Sequence, residues 1–463
     1  MDTGKCWAGL LLAACLLLGM TLVRYERTRQ EPTEESESQA QVRTETETVK
    51  VQRQEETAAA QTEQDVSRTE TGTEIRVLLC SDEFTGYGHT EEQVVFADRY
   101  VCRGPGGSQA IKETGEMLSF TQKDLKEGEC WILEPVKGEG GFSLPLLKRG
   151  YENPFYRGSL CITGSEEGLI LVNTLDVETY LRQVVCSEMP ASYPAEALKA
   201  QAVCARTYAY TQMKEGRLRE WDADVDDSTG FQVYNNVPEQ EATDAAVADT
   251  AGMVLEKDGI LADASYYSTS CGLDFSKDLS EEEAFETFFL ADGKEDWEQE
   301  EPWYRWQSIL TEEEVNEAVE KAGLLTGPVR ELTVEKREET GRVCTLRVAG
   351  EQKTETIQGE YSIRRFLKPR SMPVTLQDGS EVSGQALLPS AFFVLTKEKD
   401  VKGQIQYQIT GGGYGHGEGM SQNGAKQMAE AGESFKAILK YYYGEVTLYE
   451  KSSGDCEKIS GQQ

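Results

Sequence analysis

Glu188 is the acidic residue whose sequence setting best suits acid–base chemistry. It follows an apolar stretch in which Leu181 and Val184 share one face at helical spacing, and it stands two residues before Pro190. Because proline disfavours the α conformation in the residue before it, we expect a helix to end at about Ser187. The partial negative charge at that end raises the pKa of a carboxyl group, which suits a general acid near neutral pH. A solvated helix terminus is the alternative interpretation of Glu188.

A second candidate segment is the glycine-rich stretch GGGYGHGEGMSQ at 411–422. In an extended chain Tyr414 and His416 share one face while glycines form the other, which permits close approach by a ligand. The stretch lacks the patterns of phosphate-binding loops. His416 is one of only two histidines and lies among Tyr, Ser and Gln donors, so we predict a polar substrate surface here. Ser421 is placed to cap the helix that follows.

Two further stretches are rich in hydroxyl and amide side chains. The segment DDSTGFQVY at 226–234 is a polar turn leading to Gln232 and Tyr234, and YYSTSCG at 266–272 is the end of a predicted strand. Such side chains suit a site for neutral sugar hydroxyls. Cys271 would need a base to act as a nucleophile, and nothing in the sequence links it to His416, so we do not assign it that role.

Composition restricts the classes of ligand. The net charge of −34 argues against nucleic acid and anionic membrane surfaces as ligands of the folded part. Two histidines exclude a histidine-rich metal site. The eleven cysteines are dispersed without a CxxC pair, which favours buried free thiols over a disulfide framework. We therefore expect no metal and no cofactor.

The amino-terminal part contains an apolar run and a polar tether. Residues 6–23 are uncharged and mostly apolar, long enough for a single transmembrane anchor after a short cytoplasmic segment, 1–5. A cleaved signal peptide or a lipoprotein cleavage box at Leu12–Cys15 are the alternatives. Residues 24–73 read as a disordered linker, because they cannot bury enough apolar surface to order themselves. Arginines after the run would by themselves favour a cytoplasmic carboxyl-terminal part.

Residues 74–450 predict an α+β region in which a helical catalytic core is combined with β-rich segments. Helices are expected at 176–187 and 194–213, with a small-residue stripe that includes Ala202 and Ala205. The acidic run at 278–301 is interpreted as a solvated surface. Strands are expected at 75–79, 94–101, 131–134, 142–147, 158–162, 169–172, 253–255 and 260–267. Further helices are expected at 239–250, 421–431 and 434–443. We also predict an inserted α+β subdomain at about 308–410 and a polar tail at 451–463.

The long motif from Glu188 to Ala209, EMPASYPAEALKAQAVCARTYA, closely resembles the signature of the stage II sporulation protein D family, also called the SpoIID/LytB domain. Matching stretches follow in the same order at 232–234, 247–252, 267–270 and 413–425, so the resemblance covers roughly 74–450. In contrast to many members, this sequence has Tyr267 where they have a histidine. With that histidine absent, we do not predict a zinc ion near Cys271.

The resemblance implies a membrane-anchored lytic transglycosylase that acts on peptidoglycan outside the cytoplasm during forespore engulfment. It overrides the orientation suggested by the arginines and places the catalytic acid on Glu188. It also implies two partners, the amidase stage II sporulation protein P and the membrane protein stage II sporulation protein M. The amidase would strip the stem peptides before the glycan is cut.

On this interpretation Glu188 protonates the glycosidic oxygen between N-acetylmuramic acid and N-acetylglucosamine. The same carboxyl then acts as base for the muramoyl 6-hydroxyl and yields a 1,6-anhydro end. Asp226 and Asp227 remain candidates for a second carboxylate, which a hydrolase would need. A non-catalytic wall-binding module that stimulates an amidase and a general wall-remodelling enzyme are the alternatives. Substrate contacts are expected from Arg206, Gln232, Tyr234, Ser268, Tyr414, His416, Ser421 and Gln422, and Arg206 could instead pair with a carboxylate.

Overall fold

The computed structural model describes residues 72–81, 84, 86–272, 297–368 and 372–450. The predicted anchor at 6–23, most of the linker and the tail at 451–463 lie outside these residues. Within the described part of the chain, no helix is both long and apolar enough to cross a bilayer.

The amino-terminal half is β-rich, as its alternation of apolar and polar residues predicted. The predicted strand at 94–101 is two strands, and the one predicted at 142–147 is confined to two residues. The strands are β1 (Glu74–Leu78), β2 (Glu91–Phe96), β3 (Tyr100–Arg103), β4 (Gln109–Lys112), β5 (Met117–Thr121), β6 (Cys130–Pro135), β7 (Phe142–Ser143), β8 (Phe155–Tyr156), β9 (Ser159–Ser165) and β10 (Gly168–Asp176).

Two sheets enclose the first core. One has the order β11-β1-β10-β9-β6-β3-β4, in which β11 (Val225–Asp226) runs parallel to β1 and the other pairs are antiparallel. The other has the order β5-β2-β7-β8. Side chains from both sheets meet in one apolar cluster that also receives Leu181 and Val185 from the following helix. The sheets therefore form the support on which that helix is fixed.

Two helices follow directly, and local signals set their ends. Helix α1 (Val177–Glu188) begins where the Asp176 carboxylate accepts the Glu178 N–H at 2.8 Å. It ends at Glu188 because Met189 is extended before proline, which confirms the predicted end to within one residue. Helix α2 (Ala195–Glu215) ends at Gly216, which has the left-handed conformation. The small-residue stripe of α2 is buried and packs against α1 and α3 (Glu241–Asp249).

An α+β segment with its own core stands between the early helices and the carboxyl-terminal ones. The elements before and within this segment are β12 (Met253–Lys257), β13 (Ile260–Leu261), β14 (Tyr266–Tyr267), β15 (Trp306–Thr311), α4 (Glu312–Lys321), β16 (Val329–Arg337), β17 (Val343–Gly350), β18 (Thr354–Gln358), α5 (Glu360–Phe366), β19 (Val374–Leu376), β20 (Glu381–Val382), β21 (Phe393–Lys399) and β22 (Ile405–Gly411). The five-stranded sheet of this segment has the order β20-β19-β15-β22-β21, and a second sheet has the order β16-β17-β18.

The chain then returns to the early helices. Strand β23 (Met420–Ser421) pairs in parallel with β14, and β24 (Thr447–Glu450) pairs with β12. Helices α6 (Gln422–Glu430) and α7 (Phe435–Tyr443) pack on α2. Their apolar residues join Met189 and Leu198 in a third core. This packing brings the glycine-rich stretch to the carboxyl end of α1.

The thiols follow the expectation for dispersed cysteines. Eight cysteines lie within the described residues, all are free, and five of them are buried. The five buried thiols pack as small side chains in the described part of the chain.

Candidate active site

The carboxyl group of Glu188 lies where segments from three parts of the chain meet. The backbone N–H of Val233 donates to it at 2.6 Å, and the Tyr266 hydroxyl also forms a hydrogen bond with it. The side-chain amide of Gln422 donates to the backbone carbonyl of Glu188 at 3.1 Å. The polar turn and the hydroxyl-rich strand thus hold the carboxyl group of Glu188, and the glycine-rich stretch holds its backbone.

A chain of buried polar groups fixes the Tyr266 hydroxyl. It accepts a hydrogen bond from the Gln232 amide at 3.1 Å, and that amide also donates to the backbone carbonyl of Ala205 at 3.3 Å. The Gln232 carbonyl oxygen in turn accepts the Tyr180 hydroxyl at 3.2 Å. Because each member has a partner, the network orients Tyr266 toward Glu188. Gln232 is only 1% exposed, so it acts through Tyr266, and the predicted direct substrate contact does not fit its position.

Burial raises the pKa of Glu188 to about 7. The hydrogen bonds from Val233 and Tyr266 oppose this rise, because they favour the charged form. The direction agrees with the expectation from the helix end, whereas the largest cause is removal of the carboxyl from water. Near neutral pH both protonation states are therefore populated, which a group that gives and later takes a proton requires.

The imidazole of His416 positions Tyr266 by a hydrogen bond to the backbone carbonyl of Tyr266. The Glu418 N–H donates to His416 Nδ1 at 3.1 Å, so the ring proton lies on Nε2, which donates to the carbonyl of Tyr266 at 2.9 Å. Burial lowers the pKa of the imidazole and keeps it neutral. Since both ring nitrogens are engaged, His416 orders the site. A hydrogen bond from its ring to substrate would require one of these bonds to break.

Glycines allow the stretch at 411–422 to approach the hydroxyl-rich strand. Gly415 has φ +116, and a Cβ there would lie 2.7 Å from the Cβ of Tyr267. Gly417 has φ +79, and a Cβ there would lie 2.3 Å from the ring of Phe392. Any side chain at these two positions would push the segments apart. The alternation of glycine seen in the sequence is thus explained by close backbone packing.

Arg342, at the start of β17, holds the glycine-rich stretch from the side of the inserted segment. Its guanidinium pairs with Glu418 at 2.6 Å and with Glu338 at 2.8 Å, and it donates to the carbonyl of His416 at 3.0 Å. Sequence patterns could not predict the contacts with His416 and Glu418, because these residues lie 74 and 76 positions from Arg342. The inserted segment is therefore tied to the loop that orients Tyr266.

Glu298 is a buried carboxylate that joins two motifs. It is 2% exposed, accepts the Ser421 hydroxyl at 2.5 Å and accepts the Ser270 N–H at 2.8 Å. For this residue the interpretation of the acidic run as a solvated surface is wrong. Ser421 caps α6 as predicted, with the Gly424 N–H at 3.4 Å, but it is fully buried and is not placed to touch a ligand.

Arg206 is completely buried and is paired with a carboxylate. Its guanidinium donates to both oxygens of Glu178 at 2.7 Å and also to the backbone carbonyls of Ala202, Val247 and Met253. The sequence placed it among the substrate contacts, and this placement is corrected because no part of the side chain reaches solvent. Its contacts join α1, α2 and β12.

Tyr234 is also removed from the surface. It is fully buried, stacks on Tyr180 with ring centroids 5.1 Å apart, and donates to the side-chain oxygen of Asn173 at 2.7 Å. The predicted substrate contact therefore does not fit Tyr234 either. Its segment acts through the backbone of Val233, which sequence periodicity could not identify.

Besides His416, three of the predicted contact residues are partly exposed: Ser268, Tyr414 and Gln422. The Ser268 hydroxyl hydrogen-bonds the Thr269 hydroxyl at 3.1 Å. Tyr414 packs on Trp303 with ring centroids 4.6 Å apart. These residues stay candidates for contact with a polar ligand.

Asp226 and Asp227 are held by other groups. Asp227 is fully buried, pairs with Arg149 and accepts the backbone N–H of Cys80 at 2.8 Å. Asp226 accepts the Tyr87 hydroxyl at 3.0 Å. Both carboxylates thus have structural partners other than Glu188. Among the described residues, no group of three or more His, Cys, Asp or Glu side chains is arranged to hold a metal ion.

The described part of the chain is a mixed α/β protein that places a carboxyl of raised pKa at the end of a helix. Comparison with known proteins narrows the class. The family model described as stage II sporulation protein matches residues 165–256, and a domain of unknown function (DUF8618) matches residues 261–419. The first match contains Glu188, and the second contains the inserted segment and most of the glycine-rich stretch.

Stage II sporulation protein D of Bacillus amyloliquefaciens is 32% identical over 75% of this chain and 89% of its own length. The protein of the same name from Bacillus subtilis (strain 168) is 30% identical over 59% of this chain and 74% of its own length. The chain belongs to the stage II sporulation protein D family. A protein of Bacillus subtilis named amidase enhancer is 31% identical over 58% of this chain, but the match spans only 40% of that protein.

Proposed function

We propose that this protein is a peptidoglycan lytic transglycosylase in which Glu188 is the catalytic acid and base. The observation that carries the proposal is the pKa of Glu188, which burial raises to about 7 while Val233 and Tyr266 hold the carboxyl in one orientation. Relatives named for stage II of sporulation support a role in sporulation.

The protonated carboxyl donates its proton to the oxygen between N-acetylmuramic acid and N-acetylglucosamine as the glycosidic bond breaks. The resulting carboxylate then accepts the proton of the muramoyl 6-hydroxyl, whose oxygen attacks C1 and forms the 1,6-anhydro ring. Glu188 returns to the protonated state without consuming water. The hydrogen bonds from Val233 and Tyr266 stabilise the carboxylate that exists between the two steps.

Engagement of Asp226 and Asp227 elsewhere supports the lyase over the hydrolase. A hydrolase needs a second carboxylate at a defined separation from the acid to act on water or on the sugar. Asp227 is committed to Arg149, and Asp226 to Tyr87 and the Ser228 hydroxyl at 2.6 Å. One carboxyl that serves both steps does not have this requirement.

Product analysis on peptide-free glycan strands tests the proposal. The wild-type chain should release products with anhydro-muramic ends, and Glu188→Gln should reduce the rate about 10²–10⁴-fold, the usual contribution of a general acid. Glu166→Gln, in the exposed turn before β10, is the matched control and should cleave normally. Undiminished cleavage by Glu188→Gln, or products with reducing ends, would contradict the proposal.

We further propose that residues 6–23 anchor the protein in the membrane with the described region outside the cytoplasm. Stage II sporulation proteins P and M are the proposed partners, and peptide-stripped strands are the proposed substrate. Membrane fractionation, together with protease accessibility in intact and permeabilised cells, tests the anchor and its orientation. Protection of residues 74–450 from protease in intact protoplasts would contradict the proposed orientation.

A non-catalytic wall-binding module that stimulates an amidase is the second candidate. It is favoured by the similarity to the protein named amidase enhancer. The same assay separates the two functions: intact glycan strands together with faster amidase turnover would support the binding module. A general role in wall remodelling would instead give the cleavage products in cells that do not sporulate.

A further inference from the structure

A pocket of about 270 Å³ lies beside the glycine-rich stretch and is distinct from the carboxyl of Glu188. Tyr266 and Tyr267 are successive residues of β14, so their side chains point to opposite faces of the strand. Tyr266 reaches Glu188, whereas Tyr267 lines the pocket. The pocket is therefore separated from the proposed acid by one strand.

The side chains of the pocket define the chemistry of its occupant. None of the described residues that line it carries a charge, which disfavours phosphate or carboxylate ligands. Hydroxyl groups supply donors and acceptors, and an aromatic ring offers an apolar face, a combination suited to a polyhydroxylated ring. Tyr267, Ser270 and Thr340 supply the hydroxyl groups and Phe392 supplies a ring, whereas Thr269 and Ser390, each 1% exposed, form part of the wall.

The walls of the pocket are fixed by hydrogen bonds within the protein. The Ser390 hydroxyl donates to the carbonyl of Gly412 at 2.6 Å, and the Gly412 N–H donates to the carbonyl of Phe392 at 3.0 Å. The turn that carries Thr340 is followed by Arg342, which pairs with Glu418 at 2.6 Å. A preformed site loses less conformational freedom when a ligand binds.

All the residues that line this pocket fall within 261–419, the match to a domain of unknown function. We infer that this part of the chain contributes a second binding site, which takes a neutral N-acetylated hexose unit of a glycan strand. The assignment of a sugar rests on the proposed function. Glu188 lies in the other family match, 165–256. On this inference, one matched region carries the proposed catalytic acid and the other carries the second sugar-binding site.

Sugar binding to the full chain carrying Glu188→Gln tests the inference without cleavage of the probe. Chitotriose, a neutral trimer of N-acetylglucosamine, is titrated by calorimetry, and hydrogen-exchange mass spectrometry locates the protected peptides. We expect protection of 267–271 and 413–417. Adding Thr340→Trp, which places an indole at the exposed rim, should remove this protection and weaken binding at the site at least tenfold.

Glu339→Trp in the same background is the matched control, because it adds the same indole to the same turn at an exposed position that does not line the pocket. It should leave protection unchanged. Equal protection in the Thr340→Trp and Glu339→Trp chains, or no chitotriose-dependent protection of 267–271 and 413–417 in either, would overturn the inference. Circular dichroism verifies that both chains are folded.

The sugar-binding experiment and the cleavage experiment can fail independently of each other. If wild-type protein yields anhydro ends but Thr340→Trp binds chitotriose normally, only this inference fails. If Thr340→Trp loses binding while wild-type protein cleaves nothing, the sugar site stands and the transglycosylase proposal fails.

Discussion

The side-chain amide of Gln422 donates to the backbone carbonyl of Glu188 at 3.1 Å, although the two residues are 234 positions apart in the sequence. Gln422 is the first residue of α6, and Glu188 is the last residue of α1. The bond satisfies a carbonyl that the end of α1 leaves without a helical partner. It joins the two sequence motifs that carry the family resemblance.

Gln422→Ala should slow glycan cleavage about tenfold with little change in melting temperature. The physical reason is that one hydrogen bond contributes about 1 kcal/mol to holding the end of α1, and its loss allows Glu188 to shift. Gln427→Ala is the control, because Gln427 lies on the same helix and donates instead to Glu301 at 2.9 Å. Equal rates for the two variants would argue against a role of the Gln422 contact.

Tyr266→Phe should raise the pKa of Glu188 above about 7. The lost hydroxyl bond favours the charged carboxylate, so its removal favours the protonated form, and the alkaline limb of the pH–rate profile moves to higher pH. The charge of the Glu188 carboxylate in turn helps to raise the pKa of the phenols of Tyr180, Tyr208 and Tyr266.

A carbon-13 carboxyl titration measures this pKa directly, with the Glu188 resonance identified by its absence in Glu188→Gln. Tyr87→Phe is the control, since the Tyr87 hydroxyl contacts Asp226. A pKa that falls or stays constant in Tyr266→Phe would disprove the hydrogen-bond argument.

Glu188→Gln should stabilise the folded protein above neutral pH. The pKa of this carboxyl is about 7 in the folded protein and 4.5 for an ordinary glutamate, so between these pH values the folded state binds more protons than the unfolded state. The free energy of unfolding therefore falls as the pH rises from 4.5 to 7, and the destabilisation by the buried carboxylate is complete above pH 7. An uncharged amide avoids it.

The gain at pH 8 is at most about 3 kcal/mol, and partial contact of Glu188 with solvent reduces it. Urea unfolding at pH 4 and pH 8 measures the difference, which should vanish at pH 4. Glu166→Gln, at an exposed position, should show no such pH dependence. A variant that is less stable than wild type at pH 8 would contradict the argument.

Arg206→Met should destabilise the protein by about 3 kcal/mol, because Glu178 and three backbone carbonyls lose their donors. Arg99→Met is the control, since its pair with Glu113 at 2.9 Å is exposed and should change the free energy of unfolding by less than about 1 kcal/mol. Chitotriose binding by the folded Arg206→Met chain should be retained. Unchanged stability with lost sugar binding would restore Arg206 as a substrate contact.

Local patterns predicted the helices around the site well. The end of α1, the start of α2 after Pro194 and the cap of α6 by Ser421 follow from turn and capping preferences that act over a few residues. The order of strands in the first sheet was not accessible in this way, because pairing such as β1 with β11 joins residues about 148 positions apart.

Side-chain roles were predicted less well than side-chain chemistry. Arg206, Tyr234 and Ser421 have the polar groups that a sugar site needs, but tertiary packing buries them and uses those groups within the protein. Glu298 shows the converse: an acidic run is solvated on average, yet this member is buried between Ser270 and Ser421. Burial depends on which distant segment packs over a residue, and the local periodicity of the sequence does not contain that information.

By itself, the sequence determined that Glu188 stands at a helix end before a proline and that glycines alternate around His416. Both are consequences of backbone preferences over a few neighbouring residues. Tertiary structure alone decided that the carboxyl of Glu188 is largely withdrawn from water, that Val233 and Tyr266 hold it, and that Gln422 binds the backbone carbonyl of Glu188. A raised pKa arises from the low-dielectric surroundings that distant segments create together, and only their packing brings those segments to one place.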